Sequence, residues 1–457
     1  MRLITLICAA LVLFANVALA NNPTLERRPF LGVAPEATDQ GVRIASIITG
    51  GSAESADTAV GDIVLSLNDH AVVTPQDFIE QASNLVPGRE IELEFLRDGQ
   101  TQTVTLEPRA RPFEQPAIGQ VRYDHVNYAG GRIRAIVNTP NGEGPFPTVY
   151  YIQGYPCSSV ESSNPDNFNR RKVQSFVQAG FAVVRVEKPG VGDSDGPLEC
   201  TEIGFDEELG GFAAGWDYAR ELPETRDDQM IMVGISMGGV QAPLLAAASE
   251  HKPLGIVVWG TRMDNWHDYM YGLMAFQPVL LGYADPVESF ARAEAARPVL
   301  KRFLLDQEPI ERILSDTAEA AEVFGRIGMT PNGRFFGRDG RFFQQIAAQN
   351  LPIAWRDSNS AVLSLYGASD ITAIDGFSQE MIASVVNFYR PGTASFEVIP
   401  DTTHAMIKVG SRADYRRNFQ QGSMPSLAEG YNPAVAERMV KWSKDLLEPA
   451  EVSAGTD

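Results

Sequence analysis

Short apolar runs recur through the last three quarters of the chain, and segments with helical spacing lie between most of them. Each run holds four to seven residues, a length typical of strands. Strands that alternate with helices predict an α/β domain with a mostly parallel sheet, which we place at residues 120–448. The predicted strands are Val121–Val126, Arg132–Asn138, Pro147–Ile152, Phe181–Val186, Met230–Val233, Gly255–Trp259, Ala361–Tyr366 and Ala394–Ile399.

The longest interval without a strand pattern lies between Trp259 and Ala361, about 100 residues apart. Its first part, Asp264–Phe276, is rich in aromatic residues and methionine, and Asp285 precedes Pro286 as a helix start would require. This composition predicts a helical cap inserted into the α/β domain at about residues 262–350.

Residues 28–108 have a different pattern, with short alternating segments separated by glycines. Thr74 before Pro75 is a helix start. We therefore predict a separate small β-rich domain, followed by a linker at 109–119 that holds two prolines and no apolar periodicity. The predicted elements of its second half are a helix over Thr74–Asn84 and two strands, Glu90–Leu96 and Thr101–Leu106, around the turn Asp98-Gly99.

The segment Gly234–Gly238 fits the motif G-x-S-x-G. A predicted strand precedes it, and the small apolar segment Val240–Ala248 predicts a helix after it. Strand, sharp turn and helix together are the context of a nucleophile elbow, in which the serine hydroxyl stands clear of the sheet. Ser236 is therefore the candidate nucleophile.

A serine hydroxyl needs a base, and histidine has a suitable pKa. Of the five histidines, His404 follows the last predicted strand, at the sheet edge where sites of open α/β sheets gather. Asp370 follows the preceding strand and is the candidate acid that orients His404, with Asp375 as the alternative. We expect His267, in the cap, to be a surface or pocket-lining residue.

Two backbone N–H groups are needed to stabilise the oxyanion that forms in acyl transfer. Met237, directly after the nucleophile, supplies one of them. The loop Gln153–Pro156 follows another strand end and contains Gly154, which allows a close approach. The N–H of Tyr155 is the expected second donor.

The first 20 residues have the pattern of a secretion signal, with Arg2, an apolar run and the cleavage site Ala18-Leu19-Ala20. No later segment is long and apolar enough to predict a membrane span. We therefore expect a periplasmic or secreted protein. Export would leave Cys157 and Cys200, which favour one disulfide, with two buried thiols as the alternative. The polar tail at 449–457 is expected to be disordered.

The formal net charge of −20 argues against nucleic acid and anionic membranes as partners. No pair of cysteines or histidines has the spacing of metal ligands. We expect neither a metal nor another cofactor.

Residues 28–108 resemble a bacterial PDZ domain, most specifically over Gly51–Val72. The resemblance implies that the segment Phe30-Leu31-Gly32-Val33 is a carboxylate-binding loop, whose N–H groups cap the C-terminal carboxylate of a peptide. The partner would be a protein C-terminal tail that adds to the domain as a strand. A closed module that only packs against its neighbour is the alternative.

Residues 121–448 resemble a serine α/β-hydrolase of the prolyl-oligopeptidase and dienelactone-hydrolase-like branch, including the order Ser, Asp, His. Gln153 and Lys188 depart from the usual residues, histidine and aspartate. The resemblance implies an acyl-enzyme mechanism, but these departures weaken any transfer of substrate class. We expect a small-molecule ester as the substrate, with a peptide or amide, presented by the PDZ-like domain, as the alternative. A PDZ-based binding protein with an inactive hydrolase fold is a further alternative. The matching segments are Pro147–Pro156, Lys188–Gly196, Gly234–Gly239, Gly367–Asp370 and His404.

Overall fold

A computed structural model describes residues 25–39, 41–316, 318–326, 330 and 333–448. The predicted signal segment, 1–20, and the predicted disordered tail, 449–457, lie outside these residues. In the described parts of the chain, no helix is long and apolar enough to cross a membrane.

The first domain is a small antiparallel sheet with one α-helix, as the alternating pattern predicts. Its sheet has the order β2-β3-β4-β6-β7, with β5 paired to β4. Asp98 and Gly99 both have positive φ (51° and 76°), as the predicted two-residue hairpin turn requires. The elements are β1 (Pro29–Phe30), β2 (Val33–Thr38), β3 (Gly41–Ile47), a 3₁₀ turn (Ser52–Ser55), β4 (Ile63–Leu67), β5 (His70–Ala71), α1 (Pro75–Ser83), β6 (Ile91–Arg97), β7 (Gln100–Leu106) and β8 (Arg109–Ala110).

All eight strands predicted for the second domain are present. The strands of this domain and its cap are β9 (Gln120–Tyr128), β10 (Gly131–Thr139), β11 (Phe146–Ile152), β12 (Ala182–Val186), β13 (Thr225–Ile235), β14 (Gly255–Trp259), β15 (Arg334–Phe335), β16 (Arg338–Asp339), β17 (Ala361–Gly367) and β18 (Ala394–Ile399). The helices are α2 (Phe168–Gln178), α3 (Phe205–Glu221), α4 (Met237–Ala248), α5 (Trp266–Ala275), α6 (Gln277–Leu281), α7 (Pro286–Leu300), α8 (Ile310–Asp316), α9 (Ala318–Arg326), α10 (Gly340–Ala347), α11 (Leu351–Asp357), α12 (Phe377–Tyr389), α13 (Arg412–Gln421), α14 (Leu427–Gly430) and α15 (Pro433–Leu447).

The large sheet has the order β9-β10-β12-β11-β13-β14-β17-β18. Strand β10 is antiparallel to both of its neighbours, and the other pairs are parallel. The carboxyl ends of the parallel strands therefore meet at one edge, where the loops after β11, β13, β17 and β18 lie.

Helices cover both faces of this sheet, because successive residues of a strand point to opposite sides. Tyr150 of β11 packs into one buried cluster with residues of α3, α4 and α12. Tyr151, the next residue, packs into a second cluster with residues of α2 and α15. Strands with both faces buried explain the nearly continuous apolar runs of the sequence.

The insertion between β14 and β17 is mainly helical, as predicted, but it is not free of strands. A two-stranded ribbon, β15–β16, interrupts it. Two-residue strands joined by Phe336-Gly337 are too short to give an alternating pattern, so the sequence analysis missed them.

The residues of the predicted linker pack against both domains. Arg109–Ala110 form β8, which pairs with β1. Glu114 is 1 % exposed, and its Oε2 lies 2.7 Å from Nη2 of the fully buried Arg185 of β12. A carboxylate with a buried guanidinium partner gives no apolar periodicity, so this contact has no signal in the hydropathy pattern.

The residues before the first domain also lie on the second one. Arg27 forms ion pairs with Glu161, at 2.7 Å, and with the buried Asp193. The backbone N–H of Arg28 donates to Asp193 at 3.0 Å. The chain thus contacts the second domain on both sides of the first domain, once before it and once after it.

Candidate active site

Ser236 sits in a strained turn directly after β13. Its φ of 54° and ψ of −115° are sparsely populated for a residue with a side chain. A Cβ on Gly234 would lie 2.4 Å from the carbonyl oxygen of Gly238, and a Cβ on Gly238 would lie 2.3 Å from that of Ile152. The turn therefore requires both glycines of the motif, and it leaves Ser236 only partly covered at the sheet edge.

Three predicted residues come together at this edge. Nε2 of His404 lies 3.0 Å from Oγ of Ser236. Nδ1 of the same ring lies 2.7 Å from Oδ2 of Asp370, which is fully buried. The other oxygen of Asp370 accepts the N–H of Ala373 at 2.8 Å, which fixes the carboxylate. This geometry allows His404 to take a proton from Ser236 while Asp370 holds the ring.

The alternative residues lie elsewhere. Asp375 is half exposed and faces Arg262 at 3.5 Å. His267 is buried in α5 of the cap, and its Nδ1 lies 3.0 Å from Oδ1 of its neighbour Asp268. The structure thus places Asp370, and not Asp375, against His404.

The electrostatic surroundings favour a protonated His404. Burial of the ring disfavours the charged form, but the charge and hydrogen bond of Asp370 outweigh it, so the pKa of His404 is raised above 6.5. His404 therefore takes up a proton readily, because Asp370 stabilises its charged form.

The predicted oxyanion loop borders the serine. A Cβ on Gly154 would lie 3.5 Å from the Cβ of Ser236, so the peptide between Gly154 and Tyr155 passes beside it. Met237 is the first residue of α4, and N–H groups of a first turn have no acceptor within the helix. Gly154 and Met237 therefore both lie next to Ser236.

The disulfide that the sequence favoured is present, and the alternative of two free thiols is wrong. Cys157 and Cys200 are joined across 43 residues. Cys157 follows Tyr155 by two positions, so the bond ties the oxyanion loop to the segment before α3.

The cap presents an aromatic surface to the oxyanion loop. The ring of Tyr155 lies 6.0 Å from those of Phe342 and Phe343 of α10, and Phe343 lies 4.5 Å from Phe335 and 6.4 Å from Trp266. We call Tyr155, Trp266, Phe335, Phe342 and Phe343 the aromatic cluster. Trp266 lies in the aromatic-rich segment Asp264–Phe276 that predicted the cap, whereas two of the three phenylalanines follow a ribbon that the sequence pattern does not reveal.

A buried group of charged residues beneath the same loop was also missed. Lys188 and Glu208 are fully buried, and Arg338 is 1 % exposed. Lys188 was noted only as a departure from the usual residue. Its partners come from α3 and the cap, far apart in sequence, so no local signal could have joined them.

The first domain has a backbone arrangement suited to an anion. The carbonyl oxygens of Leu31 and Gly32 accept N–H groups of Ala53 and Ile48, at 2.9 and 2.7 Å. In a trans peptide, the N–H points opposite to the C=O. The N–H groups of Gly32 and Val33 therefore point away from the domain core, at the start of the edge strand β2.

Among the described residues, no group of three or more histidines, cysteines and acidic residues has the arrangement of a metal site.

Fold and site together define a serine hydrolase of the α/β type. The sequence model of the X-Pro dipeptidyl-peptidase (S15) family matches residues 129–378, more than half of the chain, so the chain belongs to this family. A PDZ domain model matches residues 29–107.

Similarity to a curated protein is confined to a short stretch. It is 33% identical over 81 residues to the "Probable periplasmic serine endoprotease DegP-like" of Pseudomonas savastanoi pv. phaseolicola. The match covers 18% of this chain and 17% of that relative.

Two solved structures illustrate the structural neighbours. Est1E from Butyrivibrio proteoclasticus with ferulic acid bound is 15% identical, with a TM-score of 0.42 over 70% of this chain and 98% of its own. The acylaminoacyl peptidase of Pyrococcus horikoshii is 10% identical, with a TM-score of 0.42 over 77% of this chain and 49% of its own. Because both TM-scores are below 0.5, neither structure changes the description of the fold given above.

Proposed function

We propose that this protein is an exported hydrolase that cleaves an ester through an acyl-enzyme on Ser236. The observation that carries the proposal is the 3.0 Å contact between His404 Nε2 and Ser236 Oγ, backed by the buried Asp370. In the first half-reaction, His404 takes the hydroxyl proton as Ser236 attacks the carbonyl carbon, and it then gives the proton to the leaving alcohol. In the second half-reaction, water repeats the attack on the acyl-enzyme. The N–H groups of Tyr155 and Met237 stabilise each oxyanion.

Two observations favour an ester over a peptide with a free N-terminus. The aromatic cluster beside Tyr155 suits an apolar acyl or alcohol group. A carboxylate is a strong partner for an α-ammonium group. Glu208 pairs with Lys188 and Arg338, and Asp264 pairs with Arg262 at 2.6 Å, so neither is available.

Export is part of the proposal. It is supported by the signal-like pattern of residues 1–20 and by the disulfide, since disulfides persist in oxidising compartments.

Labelling with a fluorophosphonate probe tests the nucleophile. Folded wild-type protein is expected to form a covalent adduct, and peptide mapping is expected to place it on Ser236. The control is Ser384→Ala, which removes an exposed hydroxyl from α12 and should label like the wild type. An unlabelled wild type that is folded would refute the enzymatic proposal and favour a binding protein with an inactive hydrolase fold.

The pH profile tests the base. Only neutral His404 accepts a proton, so kcat/KM for an activated ester should fall about tenfold per pH unit below its pKa. Because Asp370 raises this pKa, the inflection is expected above 6.5. Asp370→Asn should move the inflection to lower pH, whereas Asp375→Asn should leave it in place. An inflection that does not respond to Asp370→Asn would contradict the assignment.

A serine peptidase is the second candidate, and the S15 family match favours it. Comparing kcat/KM for p-nitrophenyl esters with that for X-Pro p-nitroanilides separates the two. A preference for the anilides would show that the substrate is a peptide and not an ester. The proposed roles of Ser236, His404 and Asp370 would stay the same.

We also propose that the first domain binds protein C-terminal tails. The outward N–H groups of Gly32 and Val33, at the start of the edge strand β2, support this role. Screening a random C-terminal peptide library against the full-length protein should recover a consensus. Amidation of the recovered peptides should abolish binding, because it removes the carboxylate. An empty screen, or equal binding of the amidated peptides, would favour a packing role.

A further inference from the structure

Lys188 lies directly beneath the oxyanion loop. It follows β12 and is fully buried. Its Nζ donates to the carbonyl oxygens of Gly154, at 2.7 Å, and Tyr155, at 2.9 Å, and lies 3.2 Å from Oε1 of Glu208. An ammonium group has three N–H donors, so these three acceptors satisfy it completely.

The hydrogen bond from Lys188 to the carbonyl oxygen of Gly154 fixes the orientation of the peptide between Gly154 and Tyr155. The peptide between Gly154 and Tyr155 is trans, so its C=O and N–H point in opposite directions. Because Lys188 holds the carbonyl oxygen, the N–H of Tyr155 is turned away from Lys188. A rotation of this peptide would lose the hydrogen bond and leave a buried ammonium with an unused donor.

Lys188 is itself held from two sides. Glu208 of α3 lies 2.6 Å from Nη1 of Arg338, and it accepts from Nε2 of Gln241, on the helix that begins at Met237, at 2.9 Å. Nη2 of Arg338 donates to the carbonyl oxygen of Tyr155 at 2.7 Å. The carbonyl oxygen of Tyr155 is therefore shared between Lys188, in the loop after β12, and Arg338, in the cap.

The group also carries charge. Burial lowers the pKa of Lys188 to about 7. When Lys188 is protonated, Lys188 and Arg338 against Glu208 leave a net positive charge next to the loop that would face the oxyanion. Preorganised positive charge in a water-excluded place stabilises developing negative charge.

We propose that Lys188, braced by Glu208 and Arg338, is a positioning residue that orients the Tyr155 N–H for the oxyanion. This inference rests on the proposed acyl-transfer function. The inference gives the cap a role in catalysis in addition to covering the substrate. Arg338 of the cap holds the loop at Tyr155 through its hydrogen bond to the Tyr155 carbonyl oxygen and its ion pair with Glu208.

The test is Lys188→Met, which keeps the chain length and removes the donors. For a p-nitrophenyl ester, kcat should fall by about 10- to 100-fold, since loss of one whole oxyanion donor costs roughly 10²–10³. KM should change little. The Ki of a trifluoromethyl ketone, whose adduct places an oxyanion in the hole, should rise by the same factor as kcat/KM falls. A folded variant with kcat within twofold of the wild type, or with an unchanged Ki, would overturn the inference.

Arg338→Met keeps the inference testable if Lys188→Met does not fold. It removes the second donor to Tyr155 and should lower kcat by about 5- to 10-fold, again with KM nearly constant. Arg341→Met is the matched control, because Arg341 is half exposed and pairs with Glu207 at 3.4 Å. Equal kcat in the Arg338 and Arg341 variants would count against the positioning role. A wild type that is neither active nor labelled would instead refute the proposed function.

Discussion

Ser236→Ala is expected to lower kcat/KM for an activated ester by on the order of 10³-fold or more, with the fold intact. The change removes the attacking atom and leaves His404 and Asp370 paired as before. Melting temperature and circular dichroism should match the wild type. Retention of more than a tenth of the wild-type turnover would contradict the nucleophile assignment, and Ser384→Ala controls for the loss of a hydroxyl elsewhere.

The acid is tested by a pair of variants. Asp370→Ala should lower turnover by about 10³- to 10⁴-fold, because His404 loses the partner that fixes its tautomer and stabilises its charge. Asp375→Ala, five residues away, should have a small effect, since Asp375 faces Arg262. The opposite ranking would make Asp375 the functional acid.

Glu114→Ala is expected to destabilise the hydrolase domain by about 3–5 kcal/mol, because it leaves a buried charge without its partner. Arg185 is fully buried, and Glu114 contacts it through two hydrogen bonds, at 2.7 and 3.1 Å. Urea denaturation of the full-length protein, followed by tryptophan fluorescence, measures the loss.

Glu36→Ala is the matched control for that change. Glu36 pairs with Arg43 on the surface of the first domain, where both side chains are about half exposed. Exposed pairs contribute about 0–1 kcal/mol. Equal losses in the two variants would show that Glu114 contributes no more than a surface residue.

The contact of Glu114 also predicts a response to acid. Burial opposes ionisation of Glu114, but Arg185 outweighs it, so the pKa of Glu114 is lowered. A carboxyl group with a lowered folded-state pKa contributes stability above its unfolded value, and that stability is lost as the pH falls through the folded value.

The sheet could be predicted from the sequence because its signals are local. Each buried strand is a short apolar run, and the elbow carries its own glycines, which close backbone contacts at Gly234 and Gly238 require. The order in which the chain supplies Ser236, Asp370 and His404 follows from the strand ends.

What could not be predicted depends on contacts between distant residues. Glu114 meets Arg185 across 71 positions, and Arg338 meets Glu208 across 130. Such pairs leave no periodicity, and a charged residue is expected to be exposed unless its partner is known. The same reason explains why a packed segment was predicted to be a linker.

The chain contacts the second domain at Arg27, before the first domain, and at Glu114, after it. These two contacts have a consequence for limited proteolysis. Phe113 and Ile118 are exposed, so a protease can reach the segment between the domains. After a cut there, the N-terminal fragment would still be held by the ion pairs of Arg27 with Glu161 and Asp193. The nicked protein should therefore migrate as one particle in gel filtration and separate into two bands only when it is denatured, with or without reduction, because Cys157 and Cys200 both lie after the cut.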